Sequence, residues 1–167
     1  MIQVTNIQKS FGDVCAVRSV SFSAPDGQIT GLLGPNGAGK TTTLRIIYTL
    51  LKPDQGWARV DGLDTVADRR KVLDRIGALP DSKGLYPRLT ARENIRYYGR
   101  LHGQKGTPLQ QKIDELAKML EMESFLERRV GGFSQGQRTK VAIARALVHS
   151  PQNILLDEPT NGLDVMS

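Results

Sequence analysis

A single cysteine, Cys15, rules out any internal disulfide in this chain of 167 residues. Long apolar runs are missing too. The best stretches, "ITGLLG" and "NILLD", fall far short of the ~20 residues a membrane-spanning helix requires, and they read as buried strands. The start, "MIQVTNIQKS", has neither the apolar core of a signal peptide nor a cleavage site. A cytoplasmic protein that folds without staples is expected, with any membrane role supplied by a partner. Internal repeats and low-complexity tracts are also absent. Aromatic residues are few, and this matters because the net charge is +6 and residues 84–150 carry all of the excess, with 12 Lys or Arg against 6 acids. A basic surface can mean nucleic acid, but among these charges only Tyr97 and Tyr98 sit as candidate platforms for bases. No nucleic-acid partner is expected. Arg88, Arg92, Arg96 and Arg100 recur instead at helical spacing, the pattern of a solvated helix face.

What is present begins with alternation. "IQVTNI" and "SVSFSA", with turn signals at "FGD" and "PDG", predict antiparallel strands. "QITGLLG" then predicts a fully buried strand, and "KTTTLRIIYTLL" the helix after it, stopped at Lys52-Pro53. "GWARVDG" and "IGALP" read as further strands. From Thr90 to Met122 the period changes: Thr90 and Glu93 form a capping-box pattern, and "PLQQKIDELAKMLEM" opens with a proline where helices tolerate one. "GGFSQGQRTKVAIARAL" leads into another helix, ended near Pro151, and "NILLDE" returns as a strand. Cys15 and Trp57 read as core or strand residues, and His102 and His149 as surface or capping residues.

"GPNGAGKT", from Gly34 to Thr41, fits G-x-x-x-x-G-K-[ST] and lies between a predicted strand and helix, the context that gives the pattern a mechanism. Gly34, Pro35, Asn36, Gly37, Ala38 and Gly39 would wrap the backbone around phosphates, with the amides of Lys40, Thr41 and Thr42 at the helix start. Lys40 adds a point charge for the β and γ oxygens. Thr41 offers a hydroxyl to Mg2+. At the end of "ILLDE", Asp157 can hold the Mg2+ shell and Glu158 can orient an attacking water. Phosphoryl transfer of this type is mostly positioning and charge compensation.

With these motifs the sequence resembles the ATP-binding subunits of ABC transporters along its whole length. "GPNGAGKT" matches the family's Walker A motif, "ILLDE" its Walker B, "FSQGQ" (Phe133 to Gln137) its signature and "NGLD" (Asn161 to Asp164) its D-loop. The resemblance implies an ATPase with ATP and Mg2+ as cofactors, in which two subunits, expected as a homodimer, pair head to tail. Ser134, Gln135, Gly136 and Gln137 would then close over ATP held by the partner copy, and Asp164 would lie in the D-loop. Phe11 occupies the position of the aromatic that stacks on adenine; an ordinary core or strand-end phenylalanine is the alternative. A transmembrane permease is the implied partner, and the location is peripheral on the cytoplasmic face of the cell membrane. Within the family, "GLYPRLTARENIRYYGRLHG" and "RRVGGFSQGQRTKVAIARALVHSP" look most like the sodium-extruding exporter type.

Three departures accompany the match. Gln135 stands where a second signature glycine is usual. Asp81 replaces the usual glutamine of the Q-loop, a Mg2+ and water contact. The sequence stops at "NGLDVMS", before the strand and switch histidine that the family places next, so a truncated chain, weak or inactive as an ATPase, is expected. The expected fold is α/β: a RecA-like P-loop core over residues 1–83 and 151–167, with N-terminal antiparallel strands and the C-terminal part of the core missing. Residues 84–150 form an inserted helical subdomain. Its basic excess would face the permease, so neutralising Arg92 and Arg96 is expected to weaken docking at low salt. A soluble ABC ATPase acting on nucleic acid or ribosomes is the alternative, but tandem cassettes and long inserts are lacking. A GTPase would need an N-K-x-D motif, which is absent, and a kinase would leave the signature and D-loop unexplained.

Overall fold

The structure, a computed structural model, describes residues 1–80 and 84–157. Two compact units divide the chain, Met1–Ile76 and Gly77–Ser167.

In the first unit, β1 (Ile2–Phe11) and β2 (Val14–Ala24) form a long antiparallel hairpin, with Ile2 opposite Ala24 and Phe11 opposite Val14. Its turn uses Gly12 at φ 56°, as the "FGD" signal requires. β3 (Gln55–Val60) pairs with the other edge of β1, and the two-residue β4 (Leu63–Asp64) extends the sheet to the order β2-β1-β3-β4. α1 (Lys40–Ile47) packs on β2 and β3 and buries Thr43, Ile46 and Ile47, the spacing of one helix face. Val4, Ile7, Val17 and Val60 are buried in the sheet. α2 (Arg69–Arg75) completes the unit.

The second unit pairs β5 (Ile76–Leu79) with β6 (Asn153–Leu156) and surrounds its own core with helices. α3 (Ala91–Leu101) packs on both α4 (Gly106–Met119) and α5 (Gln135–Leu147). Ile95, Ile113, Leu116, Met122, Val141 and Val148 are fully buried between them. Each such side chain contributes about 1.5–3 kcal/mol by leaving water, so the three helices form a core of their own. The Thr90 capping box is present: Thr90 Oγ1 accepts from the Glu93 amide, and the Glu93 carboxylate accepts from the Thr90 amide. Asn94, wholly buried, ties the preceding loop to α3 by accepting from the Tyr86 amide and donating to the Tyr86 and Thr90 carbonyls.

Four expectations need correction. "QITGLLG" is not a strand: residues 28–35 are irregular, and Ile29 and Leu33 are almost wholly exposed. A strand must pass its amides and carbonyls to a neighbour, and among the described residues none pairs with this segment. α1 ends at Ile47, several residues early, because Thr49 turns to φ 66° and the Leu50 and Leu51 amides fold back onto the Arg45 carbonyl. β6 is buried on one side only, at Leu155, while Ile154 and Leu156 are exposed. Finally, Arg92 and Arg96 do not lie on a solvated face. Arg92 donates to Asp114 of α4 at 2.7 Å and to Glu127, and Arg96 donates to Gln110 of α4, whereas Arg88 and Arg100 are exposed. The spacing gives a common face but not which neighbour it meets.

Candidate nucleotide-binding site

The phosphate loop is built from three constraints. Gly37 sits at φ 80°, a conformation side chains rarely adopt. Gly39 is at φ 84° and a Cβ there would come 2.2 Å from the Ala16 carbonyl oxygen of β2, so this glycine lets the loop lie directly on the sheet. The Ala38 amide closes the turn on the Pro35 carbonyl at 3.2 Å. Lys40, the first residue of α1, then folds back, its Nζ donating to the Gly34 carbonyl at 2.8 Å and the Pro35 carbonyl at 2.9 Å. Gly39 is the N-cap and carries no side-chain cap, so the first-turn amides of Lys40, Thr41 and Thr42 lack an intrahelical partner. Pro35, Asn36, Gly37 and Ala38 are exposed, and Thr41 and Thr42 are half-buried. A fixed ammonium beside uncapped amides is an anion site.

β2 relates this loop to Phe11. Val14 is opposite Phe11, and two residues further on Ala16 touches Gly39. Two residues of strand span about 7 Å, so the loop is seated near the hairpin tip that carries Phe11. Phe11 is 49% exposed at the hairpin tip, not part of the core, and Lys9 Nζ lies 5.6 Å from its ring centroid.

Ser134 opens α5 as its N-cap. Its hydroxyl oxygen accepts from the Gln137 amide at 3.2 Å, while Gln137 Oε1 accepts from the Ser134 amide at 3.1 Å. The helix therefore starts at Gln135. Gln135 is exposed, and Gly136 is half-buried with nothing within 4 Å of where a Cβ would be. The fold does not need glycine at 136, since a side chain there would meet open space.

Asp157 follows β6 with its side chain buried and its amide donating to the Leu79 carbonyl at 2.9 Å. Asp81, Glu158 and Asp164 lie outside the described residues.

A family profile described as ABC transporter matches residues 17–161. The chain belongs to the ABC transporter family. It is 51% identical over 172 residues to the ABC transporter ATP-binding protein NatA of Bacillus subtilis, covering 100% of this chain and 70% of that protein. It is 38% identical over 163 residues to the Nod factor export ATP-binding protein I of Burkholderia lata, covering 98% of this chain and 54% of that one. Among solved structures, a dimeric post-hydrolysis state of the ATP-binding cassette MJ0796 bound to ADP and Pi matches with a TM-score of 0.87 at 32% identity, over 99% of this chain and 77% of that one. The fold is thus the α/β cassette that the motifs implied. The chain spans about half the length of the second relative.

Several residues of this ABC cassette escaped the motif reading. Arg138 pins the signature turn, donating from Nε to the Phe133 carbonyl at 3.2 Å and from Nη2 to the Gly131 carbonyl at 3.1 Å. Arg145 is buried, donates to the Gly84 carbonyl at 3.0 Å and lies 4.4 Å from the Tyr98 ring centroid. Burial lowers its proton affinity, with Tyr98 opposing that shift. His102, the C-cap of α3 as its capping reading expected, is half-buried and stacks in parallel on the half-buried His149 at 3.8 Å, a contact the motif reading did not anticipate. The S-x-x-Q spacing of Ser134 and Gln137 was the one local signal available, since it repeats the pattern at Thr90.

Among the described residues no helix is long and apolar enough to cross a membrane.

Proposed function

We propose that this chain is the ATP-binding and hydrolysing subunit of an exporter, driving transport through a separate membrane-spanning permease. The carrying observation is the cradle: a lysine ammonium fixed at 2.8 and 2.9 Å on two loop carbonyls beside a helix start that has no side-chain cap. In this reading the loop from Gly34 to Thr42 wraps the phosphates, Lys40 offsets charge on the transferring group and Phe11 stacks on adenine. Thr41 and Asp157 would hold Mg2+ through their side-chain oxygens, and Asp81 would accept a hydrogen bond from a water of its shell. Mg2+ supplies charge neutralisation when bound. Glu158 orients the attacking water.

The subunit works as a head-to-tail pair, expected as a homodimer. Ser134, Gln135, Gly136 and Gln137 of one copy cover the γ-phosphate held by the other, with Asp164 in the D-loop. Each charge-assisted hydrogen bond to the phosphate is worth about 1.5–3 kcal/mol, and hydrolysis removes those made across the pair. The open space above Gly136 supports this role. Residues 1–83 with 151–167 act as the nucleotide-binding core and 84–150 as the helical subdomain. The resemblance of "GLYPRLTARENIRYYGRLHG" and "RRVGGFSQGQRTKVAIARALVHSP" to the sodium-extruding exporter type supports Na+ as cargo, with a station on the cytoplasmic face of the membrane.

The test uses the intact subunit with its permease. Glu158→Gln should stop turnover yet leave ATP-driven pairing, read by light scattering. Adding Ser134→Ala and Gly136→Ala should abolish the pairing; pairing that survives both rejects the reading.

A further inference from the structure

Asp54 makes three bonds to the end of β1, just before Phe11. Its amide donates to the Gln8 carbonyl at 2.8 Å, its Oδ1 accepts from Lys9 Nζ at 2.6 Å and its Oδ2 accepts from the Ser10 amide at 2.8 Å. These bonds lie where the β1–β2 register slips, between Lys9 and Ser10, so Asp54 fixes a part of the strand that the ladder alone leaves irregular. Lys9, with its side chain only 17% exposed, is thereby held with its ammonium 5.6 Å from the Phe11 ring centroid. The pair is too open to solvent to matter much for stability. Its geometry is more telling than its strength, because a cation over one face of a ring both fixes the ring and draws electron density towards itself. About half of Phe11 remains exposed.

We propose that Lys9 and Asp54 are positioning residues for base recognition: Asp54 holds the Lys9 ammonium behind the Phe11 ring, so that the ring presents its free face to the purine. The proposal rests on the reading of Phe11 as the adenine contact. It assigns part of the affinity for the base, as distinct from the phosphates, to a pair of residues that never touch the nucleotide.

The experiment compares equilibrium binding of Mg-ATP and of Mg-tripolyphosphate by the intact subunit, by calorimetry, for Phe11→Ala, Lys9→Met, Lys9→Arg and Asp54→Asn. Lys9→Met keeps the aliphatic stem and Asp54→Asn keeps an acceptor for the Ser10 amide, so both preserve the local packing. Lys9→Met and Asp54→Asn should each raise the Kd for ATP about three- to tenfold, leave the Kd for tripolyphosphate within about twofold of wild type, and combine without further loss. Lys9→Arg should restore most of the ATP affinity. If Phe11→Ala weakens ATP but the Lys9 and Asp54 variants do not, this proposal fails and the base reading stands. If Phe11→Ala leaves the ratio of the two ligands unchanged, the base reading itself fails. Tighter ATP binding by Lys9→Met would mean that the ammonium competes with the base for the ring, and would also overturn the proposal.

Discussion

Two helices of this protein start from glycine-containing turns, and the two starts are built in opposite ways. α1 has Gly39 as its cap, so its first amides have no internal acceptor, and its glycine is required by the fold because a Cβ would strike the Ala16 carbonyl oxygen at 2.2 Å. α5 has Ser134 and Gln137 closing a reciprocal cap, so it is complete on its own, and its glycine at 136 has open space around it. The first start carries no side-chain cap; the second closes its own. A resident ligand suits the former, and a surface that must part and re-form suits the latter.

The sharpest test of this contrast is Lys40→Ala. It should lower ATP turnover by about a hundredfold or more, because nothing else among the described groups puts a cation over the loop carbonyls; a steady-state phosphate-release assay reads it. Next comes the same substitution at both starts. Gly39→Ala should cost about 2–4 kcal/mol in denaturant unfolding, combining strain with a steric clash. Gly136→Ala should leave stability unchanged or raise it by about 0.5 kcal/mol, yet weaken ATP-driven pairing. Equal destabilisation at the two positions would erase the distinction. Ser134→Ala should cost about 1 kcal/mol from the lost cap, whereas the uncapped start of α1 has no corresponding side chain to lose.

The smallest expected effect concerns the hairpin that carries Phe11. The Lys9 hydrogen bond first, and the Ser10 amide second, hold the Asp54 carboxyl below its ordinary value of 3.8. A depressed folded value means that this contribution is fully present above pH 3.8 and is lost as the pH falls through the lowered value. The stability gap between wild type and Asp54→Asn, measured by urea unfolding, should therefore shrink on acidification below that point and stay flat above it.

Features set by near neighbours were legible from the chain. The Thr90 cap, the alternation of β1 and β2 and the strand at β3 each depend on residues a few positions apart, and each appears where its spacing put it. Features that need a distant partner were not. Residues 28–34 have a strand's composition but no described neighbour to pair with, and Arg92 and Arg96 share a helical face whose partner, α4, supplies the carboxylate and amide that turn them inward. Asp54 reaches Lys9 across 45 positions, a separation that no local pattern encodes. Phe11 falls between these cases: its position in the sequence suggested the role, and the structure removes the core reading while placing it at the end of β1, where the strand-end alternative had it.

The contact between Ala16 and Gly39 has one more consequence. A pleated ribbon resists stretching, so seating Gly39 on Ala16, two residues along β2 from the partner of Phe11, fixes the offset along the strand between the loop and the hairpin tip. Under the proposed function, a ligand has to match that offset to meet both the ring and the loop.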